Sequence, residues 1–529
     1  MNPSSPCSAG LGARLLLAAL MAASSASAEV RLPGFFSDNM VLQRDLPLTF
    51  WGWAAEGEMV TVEFQGQKVS VAAFRQLPSP LSRWQVKLGP FKASATPASL
   101  VVTGNNRVER KNVLVGDVWI CTGQANMEFP LNKSSDAEQE LPLAIHPLIR
   151  FCTVPRAKGS EPLGDVRVTW QECRTPGAFS AVGYYFGRDL QKAIGVPVGL
   201  IGIYQGGTPA EAWASRKTLV DHPELRRDFV DRFDRIRADY ASAVQKFNTE
   251  VEDLKKQGKR PGSPPPKIPV MPTWLGAELF NGMVAPLVLY GIRGVVSYQG
   301  EANADRAGQY RLLFPELIKG WRQAWGQGDF PFLTVQLAPF DKNRNRTLEQ
   351  ITATPEDSDW ARLREAQSLA AKAVPNYALV VTTDIGAQND PTPAKKDWVG
   401  SRLALSARSV AYGETLVSSG PVFKEMAVQG AKVLVRFDSV GGGLEARGGK
   451  LTGFAVSGED KKFVWADAQI QPDNSVLVSS AAVPKPVAVR YGWADFPIVN
   501  LFNKDGLPAS PFRTDTFSVP PPPAPAKKK

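Results

Sequence analysis

Histidine is nearly absent from this chain: there are two in 529 residues, His146 and His222, each followed by proline. Two scattered imidazoles offer no ligand cluster, and no metal or cofactor is expected. Cysteine is scarce too, with four in the whole chain. No run approaches the about 20 apolar residues of a membrane span. The "LLLAALMAA" run at 15–23 is too short for one, but it follows Arg14 and precedes the small-residue "ASA" at 26–28. That order is the pattern of a secretory leader over 1–28, so the mature chain is expected to begin near Glu29 and to be secreted or periplasmic, with no transmembrane segment. There is also no basic cluster. The net charge of +10 (61 Lys and Arg against 51 Asp and Glu) is spread along the chain, with no stripe interleaved with aromatics, so nucleic acid is not an expected partner.

Export permits disulfides. Cys7 falls in the leader, which leaves Cys121, Cys152 and Cys173. The short loop between Cys152 and Cys173 motivates a bridge between them, while Cys121, at a strand end, reads as a small buried hydrophobe.

What is present is a change of pattern along the chain. Short β-rich segments bounded by Gly, Pro and Asp turns fill 29–110 and predict a small antiparallel sandwich. From 111 to 414 near-continuous apolar runs at 113–121, 198–203, 293–298, 332–337 and 377–383 alternate with helical patterns such as "YRLLFPELIKGWRQAW". That grammar is α/β, a parallel sheet covered on both faces. A mixed-charge helical insert occupies 221–269 and stops at the Pro-rich "KRPGSPPPKIP". Alternating strands return over 415–518 as a second β domain, and the tail 519–529, "PPPPAPAKKK" with its preceding residue, is too Pro-rich to pack.

Four polar turns follow the α/β strands: "TGQANM", "YQGGT", "YQGEAN" and "DIGAQNDPT". In open parallel sheets, sites form outside the carboxyl ends of the strands. The four turns therefore outline one pocket.

Long stretches of the chain, among them "DNMVLQRDLPLTFWGWA", "GDVWICTGQANMEFPL", "VGLIGIYQGGTPAEAW", "YQGEANA", "GDFPFLTVQLAPF" and "VRYGWADFPIVNLFNKDGLPASPFRTD", resemble bacterial sialate O-acetylesterases of the SGNH hydrolase superfamily. The resemblance covers nearly all of the mature chain. It implies a three-layer α/β/α domain flanked by N-terminal and C-terminal antiparallel β domains, and a site that removes acetyl groups from sugar hydroxyls. In the family a serine in a Gly-Gln-Ser-Asn-Met turn attacks the acetyl carbonyl. By that match Gly206 or Gly207 lends an oxyanion N–H, and an amide from Gln299 or Asn303 completes the hole. Gln124, Asn126 and Glu301 line the same turns. The histidine of an Asp-x-His-Pro turn is the base.

Two positions depart from that pattern. The nucleophile position holds Ala125. Aligning "KKDWVGSRLA" puts Thr392 at the histidine position, with Asp390 at the aspartate. Alanine has no lone pair with which to form an acyl-enzyme, and threonine cannot accept and return a proton near neutral pH. The expectation is a catalytically impaired pseudoesterase that binds O-acetylated glycans. The alternatives are an active esterase with a displaced reagent (Thr122 as nucleophile, or Glu301, Asp384 or Asp390 as base for water) and an envelope protein that uses its β domains as interaction modules.

Overall fold

One strand organises the molecule. In β1 (Arg107–Gly123) the first six residues are mostly polar and none is buried, and the last eleven are all buried. The computed structural model describes residues 29–75, 82–260, 262, 264–269 and 271–517; the expected leader at 1–28 and the expected tail at 519–529 lie outside them. The exposed half of β1 pairs antiparallel with Ser94–Thr103, and its middle pairs in parallel with Val41–Gln43. Its buried half is the centre of a parallel sheet. The boundary expected at 110/111 therefore falls inside a single continuous strand.

The other strands of that sheet are β2 (His146–Thr153), β3 (Gln171–Cys173), β4 (Val198–Tyr204), β5 (Gly294–Tyr298), β6 (Phe332–Val335) and β7 (Tyr377–Val380). Their order is β3-β2-β4-β1-β5-β6-β7. All pairings are parallel except β3 with β2. Side chains alternate between two cores: Val118 and Ile120 enter one, Trp119 and Cys121 the other. Burial on both faces explains why these strands read as unbroken apolar runs. The β2 strand, "HPLIRFCT", was absent from the expected set, because its first three residues are not fully buried and break the run.

Helices cover both faces. Residues Leu313, Phe314 and Leu317 of α4 (Ala307–Trp325) and Leu363 and Ala366 of α5 (Asp359–Ala373) join the first core. Val182 and Tyr185 of α2 (Ala181–Ile194) and Val399 and Leu403 of α6 (Asp397–Tyr412) join the second. The fold is thus mixed α/β, with a large mainly parallel sheet and several antiparallel ones. The insert contains α3 (Arg232–Lys256), which buries no residue and so contributes nothing to either core. At the C-terminal end, two four-stranded antiparallel sheets enclose Val435, Phe454, Val456, Tyr491 and Phe512. No helix among the described residues is long and apolar enough to cross a membrane.

The expected Cys152–Cys173 bridge is corrected by this topology. All three described cysteines are free and buried. Cys152 faces the first core and Cys173 the second, with Phe151. A register shift between Glu172 and Cys173 sets Cys173 opposite His146, where its Sγ lies 3.8 Å from the Ala144 carbonyl oxygen. Adjacent strand positions point to opposite faces, so sequence proximity misled. Burial pushes the Cys173 thiol up to about 12 and Cys121 further still. Accordingly, the three thiols should react with Ellman's reagent only on unfolding, and dithiothreitol should leave the melting temperature unchanged. A bridge would instead reveal itself by a thermal shift on reduction, since native disulfides typically contribute about 2–4 kcal/mol.

Candidate functional site

The strand register brings three of the four turns level. Gly123 at the end of β1 pairs with Tyr204 on one side and Tyr298 on the other. The turns are stitched at their first residues: Gln124 N–H donates to the Tyr298 carbonyl at 3.0 Å, and Gln205 N–H to the Gly123 carbonyl at 3.1 Å. Gly123 itself has φ +145°, and a Cβ there would stand 2.0 Å from the Tyr298 oxygen. Only glycine fits so close an approach.

Directly after this crossing, Ala125 opens the one-turn helix α1 (Ala125–Glu128). A Cβ placed on Gly206 would lie 3.5 Å from the Ala125 Cβ, so the nucleophile position and the expected oxyanion turn are adjacent. The Gly206 N–H, however, already donates to Glu128 Oε2 at 2.7 Å, and Glu128 also pairs with Arg156. Gly207 has φ +71° and completes the turn in the left-handed region.

Asn126 binds the fourth turn to the first and third. Its Nδ2 donates to Glu301 Oε1 at 2.7 Å and to the Pro391 carbonyl at 2.8 Å, and its Oδ1 accepts from Lys396 Nζ. Lys396, at the start of α6, is fully buried, with its ammonium 5.0 Å from the Phe129 ring centre and 5.4 Å from that of Tyr298. Burial lowers its pKa to about 7, against the opposing pull of Glu301 and Asp390. Burial raises the Glu301 carboxyl above the usual carboxylate range, offset in part by Asn126 and then Lys396. Glu301 is half-buried as a residue, but its Oε2 is out of solvent and has no partner within the chain.

The remaining candidate residues divide. Gln299 Nε2 donates to Asn303 Oδ1 at 3.1 Å, and Asn303 also accepts from Ala210 N–H and donates to Glu211, so Asn303 is committed to holding the turns. Two further buried atoms at this edge lack a partner within the chain: Gln124 Nε2 and Gln299 Oε1. Thr392 donates both its N–H (2.8 Å) and its hydroxyl (2.7 Å) to Asp390 Oδ1, closing a small exposed turn. Asp384 is clamped through both oxygens by Arg402 at 2.8 and 2.6 Å, and Thr122 is buried inside β1, paired with Ile203 and Ser297. Neither is free for chemistry. The two histidines stand elsewhere: His146, at the amino end of β2, lies 3.2 Å from the Tyr184 hydroxyl, and His222 lies 2.8 Å from Glu316. Among the described residues no group of three or more His, Cys, Asp or Glu is placed to hold a metal ion.

Sequence reasoning missed Lys396, Glu128 and Arg156. Glu128 directly follows the first turn, but its partner Gly206 is 78 residues away. Lys396 stood in the sequence as one of two adjacent lysines with nothing to separate them.

The buried lysine has a pH signature. Its folded pKa is depressed, so its stabilising contribution is fully present above the ordinary value near 10.5 and is lost as pH falls towards about 7. Stability measured by urea unfolding should therefore rise between pH 7 and 10 in the native chain, and Lys396→Met should flatten that rise. Identical pH profiles for the two proteins would show that Lys396 does not titrate in this window.

Known proteins resemble the chain over most of its length. The family model described as "Carbohydrate esterase, sialic acid-specific acetylesterase" matches residues 271–408. The sialate O-acetylesterase of Mus musculus is 29% identical over 532 residues, covering 92% of this chain and 95% of that protein. The human sialate O-acetylesterase is 28% identical, covering 93% and 94%. The crystal structure of a carbohydrate acetylesterase from Xanthomonas citri superposes with a TM-score of 0.77 at 37% identity, covering 92% of this chain and all of that one. At 37% identity over nearly all of both chains, this chain belongs to the same family as that carbohydrate acetylesterase.

Proposed function

We propose that the chain is an exported pseudoesterase that binds O-acetylated sugars at the strand-end turns without turning them over. The observation that carries this reading is the pairing of a bare Ala125 methyl with three buried polar atoms, Gln124 Nε2, Gln299 Oε1 and Glu301 Oε2, that find no partner within the chain. Buried polar groups are nearly always satisfied. A donor and two acceptors grouped at one sheet edge suit the carbonyl and hydroxyls of an acetylated sugar. The reagents of ester cleavage have no counterpart beside them. At the histidine position, Thr392 spends its hydroxyl proton on Asp390.

The oxyanion donors support the same conclusion. An oxyanion hole acts through N–H groups aimed at developing negative charge. Here the Gly206 N–H already faces the Glu128 carboxylate, which would oppose a second anion at that place. What remains favours a neutral carbonyl over a tetrahedral oxyanion, and so a ground state over a transition state. Export is supported by the leader pattern at 1–28.

Calorimetry with a panel of O-acetylated sugars and their deacetylated forms, run beside an acetyl-release assay, tests the reading. Binding that requires the acetyl group, with negligible release, is the expected result. The double change Ala125→Ser with Thr392→His restores nucleophile and base, so release should rise well above the native level, short of a full esterase because Glu128 still holds the Gly206 N–H. Each single change should do far less, because nucleophile and base act as a unit. Vigorous release by the native chain would overturn the pseudoesterase reading, and its abolition by Glu301→Gln would then identify a carboxylate-activated water. Absence of binding to every acetylated sugar would dispose of the glycan-binding part.

A further inference from the structure

A cavity of about 650 Å3 opens where the C-terminal sheets meet the α/β body, within the range of about 300–1,000 Å3 usual for small-molecule sites. None of the strand-end residues lines it. Phe454 and Trp493 form its buried aromatic base, Trp465 stands in its wall, and Ile351 and Thr352 close it from the α/β side. Trp465 is 37% exposed, a large aromatic left partly open to water. Its indole N–H donates to the Thr352 carbonyl at 2.7 Å. The polar edge is therefore used, and what Trp465 can offer an occupant is ring surface.

The rim decides the class of occupant. The charged residues lining the cavity are Lys450 and Asp467, and they form an ion pair with each other, with side chains 72% and 76% exposed. The lining carries no net charge with which to hold a phosphate or carboxylate. Thr452 and Ser480 add hydroxyls. Aromatic surface inside and a neutral hydrogen-bonding rim outside match a molecule with an apolar C–H face and a girdle of hydroxyls, which is the surface of a pyranose ring. An acyl chain or apolar peptide would leave that rim unused.

We infer that this cavity is a second saccharide site, which takes a neutral pyranose segment of a glycan chain against Trp465 and reads no acetyl group. The segment 341–352 joins it to the strand-end turns: Asp341 N–H donates to the Gln388 carbonyl and Asn345 N–H to Asn389, while Ile351 and Thr352 wall the cavity. A polymer held at both places would present its acetylated units to the first site while being gripped at the second. The second site does not rest on the pseudoesterase reading, because its ligand needs no ester.

The probes are unacetylated xylohexaose and cellohexaose, titrated into the full chain by calorimetry and by tryptophan fluorescence, with trigalacturonate as an acidic counterpart. Neutral hexaoses should bind with a dissociation constant of about 1 mM or tighter, and trigalacturonate should bind more weakly. Trp465→Ala should weaken hexaose binding at least about tenfold, and Trp465→Phe should retain most of it. Because Trp465→Ala also removes the bond to Thr352, Ala481→Trp serves as a second variant. Ala481 is exposed and lines the cavity, so an indole there blocks the space without disturbing the core, and it should abolish hexaose binding. Failure of the native chain to bind either hexaose, preference for the acidic probe, or full binding by Ala481→Trp would each overturn the second site.

Discussion

The arrangement of the strand-end edge depends on one side-chain amide. Asn126 has two donor hydrogens and an acceptor oxygen, and it uses them on Glu301, the Pro391 carbonyl and Lys396. These groups belong to two segments of chain besides its own, so one side chain sets the spacing of the turn after β1, the turn after β5 and the turn that leads into α6. The bond to Lys396 is buried and the other two are partly so, and away from water such bonds are electrostatically stronger and an unpaired partner is costly. Without the amide, a buried ammonium and a buried carboxyl would face each other across the gap with neither properly solvated.

This frame is independent of the chemistry expected at Ala125. A nucleophile and base contribute to rate and little to folding, so their loss leaves the fold unchanged. Asn126, Glu301 and Lys396 are different, because they hold one another in the interior whether or not an ester is ever cleaved. Their presence beside Ala125 is therefore compatible with a working scaffold and does not by itself argue for catalysis. The polar atoms at Gln124, Gln299 and Glu301 that find no partner within the chain point further, towards a ligand, since the frame gains nothing from them.

The parallel strands were legible in the sequence for a physical reason. A strand buried on both faces has no polar alternation to hide it, and 113–121, 198–203 and 293–298 stand out as apolar runs. The turns could then be placed at one edge by topology alone. The misreadings share a different cause. Whether Cys152 meets Cys173 depends on a register shift in β3, and whether Lys395 or Lys396 is the buried one depends on how α6 docks. Only Lys396 is buried, while its neighbour stays at the surface with its ammonium 3.6 Å from the Trp398 ring centre. Likewise, β1 changes from a polar to an apolar pattern at Val113, which resembles a domain boundary in sequence and is in fact one strand passing from a partly exposed sheet into a buried one.

The seam between the α/β body and the C-terminal sheets is bridged by buried hydrogen bonds. Arg364 on α5 is fully buried, and its guanidinium donates to the carbonyls of Leu337 and Ala338 on one side and of Ala494 and Asp495 on the other, at 2.7–3.2 Å. Ser358, which caps α5, adds a bond to Asp495 at 2.5 Å. A planar fork with five donors suits this task, because it satisfies four buried carbonyls from two parts of the chain at once. Burial lowers the Arg364 pKa to about 9, so the cation is expensive to place there and is held by the carbonyl dipoles around it. Two of those carbonyls, at Ala494 and Asp495, directly follow Trp493 in the base of the seam cavity. The clamp that joins the two parts of the molecule thus also fixes the aromatic base on which a ligand at the seam would rest.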